Sequence, residues 1–385
     1  MKIALLTEKY TPDIGGLAIS AERVARLLVS SGHDIRVFAP TLSLPAAERR
    51  ILSSTGIRVM RFGARKRVDD TLVDWFEFLV EEHKREPFDV LHAYFLAQSG
   101  FVAAYAGNYL GLRSVVSARG NDLERAIFDP WRAAHILYAL QQASAVTTNA
   151  NELAKKARAL IPGLEVSVIR NGIDTDHFKP LPRNNALAES LSLINRRPIN
   201  EPARVIGFAG ELREKKGLRP LLNAYAQVNK KIRSTLLIVG DTRPGEDKQT
   251  LEEFQQMYPD AQIIVTGFVS PGDLPAYYSV MDVFVQPSLR DGLPNSLLEA
   301  MACEKAVIGT RVGGIVDAIT DCRNGKLVSA NHVNELAEAI GELLTNENLR
   351  RILGMASRQT ILNQFTLQGE LDGNLAVYDR LGLKL

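Results

Sequence analysis

Two carboxylates, Asp291 and Glu299, flank the turn Gly292-Leu293-Pro294 in the run "QPSLRDGLPNSLLEAMA" (286–302). The turn is followed almost at once by a helix. Pro294 falls at or near its first position and Asn295 and Ser296 in its first turn, where backbone N–H groups lack intrahelical partners. Such a terminus suits a phosphate. A carboxylate accepts two hydrogen bonds from neighbouring hydroxyls. Asp291 before the turn and Glu299 more than a turn into the helix could therefore hold two ends of one molecule, a sugar and a ribose, with phosphates over Gly292 to Ser296. The bland readings are turn chemistry for Asp291 and a solvated helix charge for Glu299; the phosphate features beside them favour function.

Two further loops have the same logic. In "GFAGELREKKGL" a strand over 205–209 meets Gly210, and a helix begins near Gly217. Arg213, Lys215 and Lys216 sit at that helix entrance, where cations oppose the macrodipole unless an anion is present. In "LLTEKYTPDIGGLAIS" a strand, the pair Gly15-Gly16 and a helix follow one another, so backbone amides can approach an anion. The loop lacks G-x-G-x-x-G, which counts against a dinucleotide oxidoreductase. Taken alone, a double Gly is a plain turn about as often as a phosphate cradle. Nearer the N-terminus, "SARGNDLER" places Arg119, Asn121 and Asp122 at a strand's carboxyl end, and "DVLHAYF" places His92 toward the expected cleft. These four are acceptor-side candidates, although His92 serves equally well as a structural histidine. The D-x-D triplet at Asp174 to Asp176 fits an Asx turn better than a metal site.

The elements that must position these residues follow from the pattern. At 385 residues the chain exceeds the size at which one core stops growing, so two domains are expected. Short apolar runs ("KIALLT", "DIRVFA", "IRVMRF", "DVLHAY", "RSVVSA", "AVTTN", "EVSVIR") alternate with amphipathic segments, which means βαβ units around a parallel sheet. The rhythm pauses in a polar stretch and resumes with "RVIGFAG", "TLLIVGD", "QIIVTGF", "DVFVQPS" and "AVIGT". An α/β chain of two doubly wound domains follows, 1–177 and 178–365, with the boundary near Phe178 to Pro202 and a terminal helix over 366–385 returning to the first domain. Open sheets bind ligands at the carboxyl ends of their strands, so the cleft between the domains is the expected site.

Composition excludes other classes. The chain is 46% hydrophobic and 23% charged without low-complexity tracts, which is neither disordered nor fibrous. No apolar run spans a bilayer and the start lacks signal-peptide anatomy, so a cytoplasmic protein is expected. Cys303 and Cys322 lack metal-ligand spacing, and no metal site is expected. The net charge of +2 says little. The segment Arg49 to Arg67, with six arginines and Lys66, could meet a phosphorylated acceptor or an anionic membrane face, but reads more readily as a solvated loop. Aromatic residues are sparse there, which argues against nucleic acid.

The ordered set "TPDIGGLA", "VIRNGIDTDHFKP", "GELREKKGL", "LLIVGD", "TGFVSPGDLPAYYSVMDVFVQPS", "DGLPNSLLEAMACEKAVIGTRVGGIVDAI" and "NGKLV" resembles retaining glycosyltransferase family 4, of GT-B architecture, over nearly the whole chain. The resemblance implies two Rossmann-like domains facing across a cleft, a C-terminal domain binding a nucleotide-diphosphate sugar and an N-terminal domain binding a hydroxyl acceptor. It implies that Glu299, second in the family's E-x7-E motif, meets the ribose, and that Asp291, in the first Glu's place, meets the sugar. Lys216 matches the lysine that faces the diphosphate. The arginine usual before it aligns with Glu211, and Arg213 is the substitute expected to neutralise the leaving group. Arg119 stands where the family often has His. No covalent nucleophile and no metal or cofactor are implied; Lys216, Arg213, Gly16 and the amides at Pro294 to Ser296 would carry the charge. A GT-B epimerase or phosphorylase, or a non-catalytic nucleotide-sugar-binding subunit, remain the alternatives.

Overall fold

The computed structural model describes residues 1–13, 15–54, 56–194 and 204–383. Part of the expected boundary stretch therefore lies outside the described residues. The chain divides into two compact units. The first comprises Met1–Asn171 with Leu367–Leu385, and the second Gly172–Thr366, so the division falls shortly before the expected 177.

In the first unit the strands are β1 (Lys2–Thr7), β2 (Asp34–Ala46), β3 (Arg49–Ser54), β4 (Ile57–Gly63), β5 (Val90–Tyr94), β6 (Arg113–Ala118), β7 (Ala145–Thr148) and β8 (Val166–Val168). They form one sheet in the order β3-β4-β2-β1-β5-β6-β7-β8. Every pairing is parallel except β3 with β4. Strands such as β1 and β5 are buried along nearly their whole length, as a sheet covered on both faces requires. The order reverses at β1, whose neighbours are β2 on one side and β5 on the other, which is the switch point where such sheets bind ligands.

The β3 hairpin corrects the loop reading of Arg49–Arg67. Its Ile51 and Leu52 are both exposed, so no inward face marks it as a strand in sequence. Its arginines are ion-paired: Arg49 with Glu81, Arg50 with Glu48 (2.9 Å), Arg58 with Asp34 (2.7 Å), Arg61 with Asp13 (3.1 Å), Arg65 with Asp74 (2.6 Å) and Arg67 with Asp69 (3.5 Å). Local neutralisation weakens the attraction of this segment for an anionic surface.

The terminal helix Leu367–Arg380 closes this unit. Arg23, on helix Gly16–Ser30, donates through Nε and Nη2 to Glu370 (2.5 and 3.1 Å), and Glu370 is buried. Val377 and Tyr378 enter the core formed by Leu28, Val37 and Val90.

The second unit contains β9 (Arg204–Ala209), β10 (Ser234–Val239), β11 (Gln262–Val265), β12 (Val283–Gln286), β13 (Ala306–Thr310) and β14 (Lys326–Val328). The order is β11-β10-β9-β12-β13-β14, all parallel. Helices Leu218–Asn229 and Val333–Thr345 contribute to a core on one face, while helix Asn295–Ala302 packs into a second around Tyr278 and Phe284. No described helix is long and apolar enough to cross a membrane.

Candidate active site

At the carboxyl end of β9 the chain turns through Gly210 (φ 125°), then runs through a short 3-10 turn, Glu214–Lys216, into helix Leu218–Asn229. Gly217 takes φ 81° and packs so closely on the next strand loop that an added Cβ would lie 2.0 Å from the Pro287 carbonyl oxygen. The Leu289 amide donates to the Lys215 carbonyl (2.9 Å), joining this loop to the one after β12. That seam puts Lys216 Nζ directly on Asp291 Oδ2.

The pair belongs to a longer chain of hydrogen bonds. Ser288 Oγ donates to Asp291 Oδ2 (3.1 Å), Gln286 Nε2 to Ser288 Oγ (2.9 Å), and Ser296 Oγ to Gln286 Oε1 (3.2 Å). The first turn of helix Asn295–Ala302 is thereby tied to the carboxylate and ammonium before it. Burial acts to raise the Asp291 pKa, but Lys216, then Lys215 and Ser288, overcome it and hold the carboxyl below its ordinary value. Pro294, with φ −71° and ψ 124°, caps the helix without a side-chain hydrogen bond, and Asn295 and Ser296 are half-buried. Beneath the turn, an added Cβ on Gly313 would lie 1.6 Å from the Asp291 carbonyl oxygen, so a bare glycine backbone supports it. Gly292 and Leu293 are buried there too.

Glu299 is not a solvated helix charge: it is 8% exposed, and Tyr278 Oη donates to its Oε2 at 2.7 Å. Burial and then Glu299 raise the Tyr278 pKa well above its ordinary value, so the phenol keeps its proton and remains a donor. Tyr278, Gln286 and Ser288 escape sequence reasoning. Tyr278 lies in helix Leu274–Val280, and no spacing rule links it to Glu299.

Arg213 is ion-paired to Glu211 (3.1 Å), and its Nε is buried without a hydrogen-bond partner. In the first unit, Gly15 (φ 134°) precedes helix Gly16–Ser30, and a Cβ at either Gly15 or Gly16 would meet nothing within 4 Å.

His92 is corrected: it is fully buried within β5, not facing outward. Tyr378 Oη contacts its Nδ1 at 2.6 Å and Ser117 Oγ its Nε2 at 3.2 Å, while burial and then Arg119 push its pKa down to about 3. It is a neutral structural histidine anchoring the terminal helix. Arg119 lies over the Tyr94 ring (4.6 Å) and donates to Asn171 (2.7 Å), and its amide donates to Asp122 Oδ2 (3.1 Å). Asn121 is half-buried beside it. Asp174 Oδ1 accepts from the amides of Asp176 (3.1 Å) and His177 (3.0 Å), so the D-x-D is an Asx turn. Among the described residues, no three His, Cys, Asp or Glu side chains converge as a metal site.

Comparison with known proteins decides the family. Residues 14–177 match the sequence profile described as Glycosyltransferase Family 4, and residues 203–346 match that of Glycosyl transferases group 1. The chain belongs to glycosyltransferase family 4. This glycosyltransferase is 25% identical to a GDP-mannose-dependent α-(1-6)-phosphatidylinositol monomannoside mannosyltransferase of Mycolicibacterium smegmatis, with 94% of each chain covered. It is 23% identical to N-acetyl-α-D-glucosaminyl L-malate synthase of Bacillus anthracis, over 92% of this chain and 91% of the other. Among solved structures, sucrose-phosphate synthase of Thermosynechococcus elongatus superposes with a TM-score of 0.83 at 22% identity, covering 99% of this chain and 98% of that one. HepE of Anabaena in complex with UDP gives 0.80 at 20% identity, covering 99% and 100%. The glycosyltransferase has the GT-B fold of these neighbours.

Proposed function

We propose that this glycosyltransferase takes its sugar from a nucleotide-diphosphate donor held by the second unit and transfers it, with retention and without a metal, to a hydroxyl acceptor held by the first. The observation that carries the reading is the hydrogen-bonded run from Lys216 through Asp291, Ser288 and Gln286 to Ser296, which joins an ammonium to a helix N-terminus across one loop seam. A departing diphosphate needs both kinds of positive field. Lys216 would leave Asp291 for the phosphate, freeing that carboxylate for hydroxyls of the transferred sugar. Glu299, oriented by Tyr278, would meet the ribose. Arg213 would add to the phosphate contacts, and the Gly15-Gly16 backbone of the first unit is proposed as a further anion-approaching loop.

In this reading the leaving diphosphate takes the acceptor proton as the glycosidic bond forms, through an oxocarbenium-like state, so the protein positions and neutralises without a covalent partner. Relatives that use GDP-mannose, and a neighbour that binds UDP, support a nucleotide donor. Thermal melting against UDP-, GDP- and ADP-sugars identifies the donor, because one present at about a hundred times its Kd stabilises by about 2.7 kcal/mol. With that donor saturating, Lys216→Ala should lower kcat by about 10²- to 10³-fold. Turnover should persist undiminished in EDTA. Full turnover by Lys216→Ala would overturn the assignment.

A further inference from the structure

Strand β12 ends on a buried amide, Gln286. Side chains alternate along a strand, so Gln286 shares the face of Phe284, which packs in the apolar core that takes in helix Asn295–Ala302. Gln286 is 1% exposed, and Ser288, two residues on, is fully buried. An amide in such a place costs stability unless both of its ends are bonded. Both are: Nε2 donates to Ser288 Oγ (2.9 Å), and Oε1 accepts from Ser296 Oγ (3.2 Å). Thr310 Oγ, at the end of the neighbouring strand β13, donates to the Ser288 carbonyl (2.5 Å) and fixes that residue's backbone.

The direction of this chain follows from its last member. An ionised carboxylate only accepts, so the single Ser288 hydroxyl proton goes to Asp291 Oδ2 (3.1 Å). With its proton committed, Ser288 Oγ must accept from Gln286, which turns the amide nitrogen toward it. The amide oxygen then faces Ser296 and takes that hydroxyl's proton. Glutamine suits this place because its two ends differ, one donating and one accepting.

Among the described residues, Lys216 and Ser288 are the hydrogen-bond donors to the Asp291 carboxylate. Burial favours its protonation; Lys216 is the largest opposing influence, followed by the charge of Lys215 and the Ser288 hydrogen bond. Arg290, the preceding residue, is exposed, and on the β13 side Gly313 and Gly314 present only backbone to the turn. Once Lys216 turns to a phosphate, the Lys215 charge and the Ser288 hydrogen bond are what keep the carboxyl ionised, and Ser288 alone fixes its orientation.

We propose that Gln286 is a positioning residue for the transfer reaction: by committing the Ser288 proton to Asp291, it keeps that carboxylate ionised and aimed at the donor's sugar after Lys216 has left. The proposal rests on the donor reading above, in which Asp291 meets the transferred sugar.

The test uses the full-length protein. Calorimetric Kd values for the nucleotide sugar identified by thermal melting are compared with those for its nucleoside diphosphate, which lacks the sugar. At pH 8, Gln286→Leu should weaken the nucleotide sugar about tenfold and the nucleoside diphosphate by less than about threefold. Gln286→Glu should weaken the nucleotide sugar as much at pH 8, where its carboxylate competes for the Ser288 proton. Toward pH 5.5 this variant should recover relative to wild type, because a protonated carboxyl donates one hydrogen bond and accepts others, as the amide does, whereas Gln286→Leu should not. Equal weakening of both ligands by Gln286→Leu, or a Gln286→Glu deficit that persists in acid, would overturn the assignment.

A ligand-free readout separates this role from a scaffold. The Asp291 carboxylate contributes stability above its unfolded pKa near 4, and the contribution disappears as pH falls through the lower folded value. Gln286→Leu should raise that folded value. The melting curves of this variant with and without Asp291→Asn should therefore converge at a higher pH than the corresponding curves in the wild-type background. Convergence at the same pH in both backgrounds would show that Gln286 only fills space. If no nucleotide sugar binds the wild-type protein, the donor reading falls, and the melting comparison still decides whether Gln286 acts on Asp291.

Discussion

Lys216 Nζ rests on Asp291 Oδ2, so the cation assigned to the leaving group and the carboxylate assigned to the sugar neutralise each other in the unliganded protein. Their side chains are 21% and 14% exposed, dry enough for the contact to matter and wet enough for the lysine to swing away. In the proposed reading, Asp291 occupies Lys216 until the donor's phosphate replaces it.

Asp291→Asn should accordingly destabilise the unliganded protein by about 1–3 kcal/mol at pH 7, because a partly buried ammonium loses its ionised partner. Asp291 has a lowered folded pKa, so its contribution is complete above the unfolded value near 4 and disappears as pH falls through the folded value. Melting curves of wild type and variant should converge in acid. Curves that stay parallel from pH 7 to pH 3 would show that the pair contributes nothing.

Tyr278→Phe removes the donor that fixes Glu299 while keeping the ring that fills the core with Phe178 and Phe284. We expect a stability loss of about 0.5–1.5 kcal/mol and a larger effect on donor KM than on kcat. Steady-state kinetics with varied donor distinguish this from a purely structural role, which would leave KM alone.

The seam between the two loops has no room. Gly217→Ala and Gly313→Ala would each drive a Cβ into a carbonyl oxygen, at 2.0 and 1.6 Å, and both positions have positive φ, 81° and 50°. Each should cost about 2 kcal/mol or more, seen as a lower melting temperature, and should weaken donor binding by displacing Lys216 or Asp291. Gly210→Ala is the control, strained at φ 125° but with nothing within 4 Å of the new methyl group.

Glu370→Ala should be among the most damaging changes far from the Lys216–Asp291 pair. It removes the carboxylate that Arg23, whose side chain is 13% exposed, meets through two nitrogens, and breaking a buried pair costs about 3–5 kcal/mol. Limited proteolysis should then release the helix Leu367–Arg380 before the rest of the chain is cut.

Much of this was legible in the residues. Alternating apolar runs located the parallel strands because a sheet covered on both faces demands continuous burial, and Gly210, Gly217 and Pro294 marked turns whose backbone admits little else. The Asx turn at Asp174 was readable for the same local reason. What was not legible depends on long-range contact. Strand β3 carries its apolar residues outward, so no periodicity announced it. His92 reads equally as a cleft-side ligand or a structural histidine until Tyr378, far along the chain, is seen to cover it. Tyr278 finds Glu299 only because two helices separated in sequence pack together in the second unit.

Because Tyr378 and Val377 complete the core that begins with Ile3 and Leu5, the first unit is encoded at both ends of the chain. During synthesis the second unit, continuous from Gly172 to Thr366, can finish folding while the first still lacks its last helix. A ribosome must therefore release the chain through Tyr378 before His92 is sealed from water, so the first unit matures after the second.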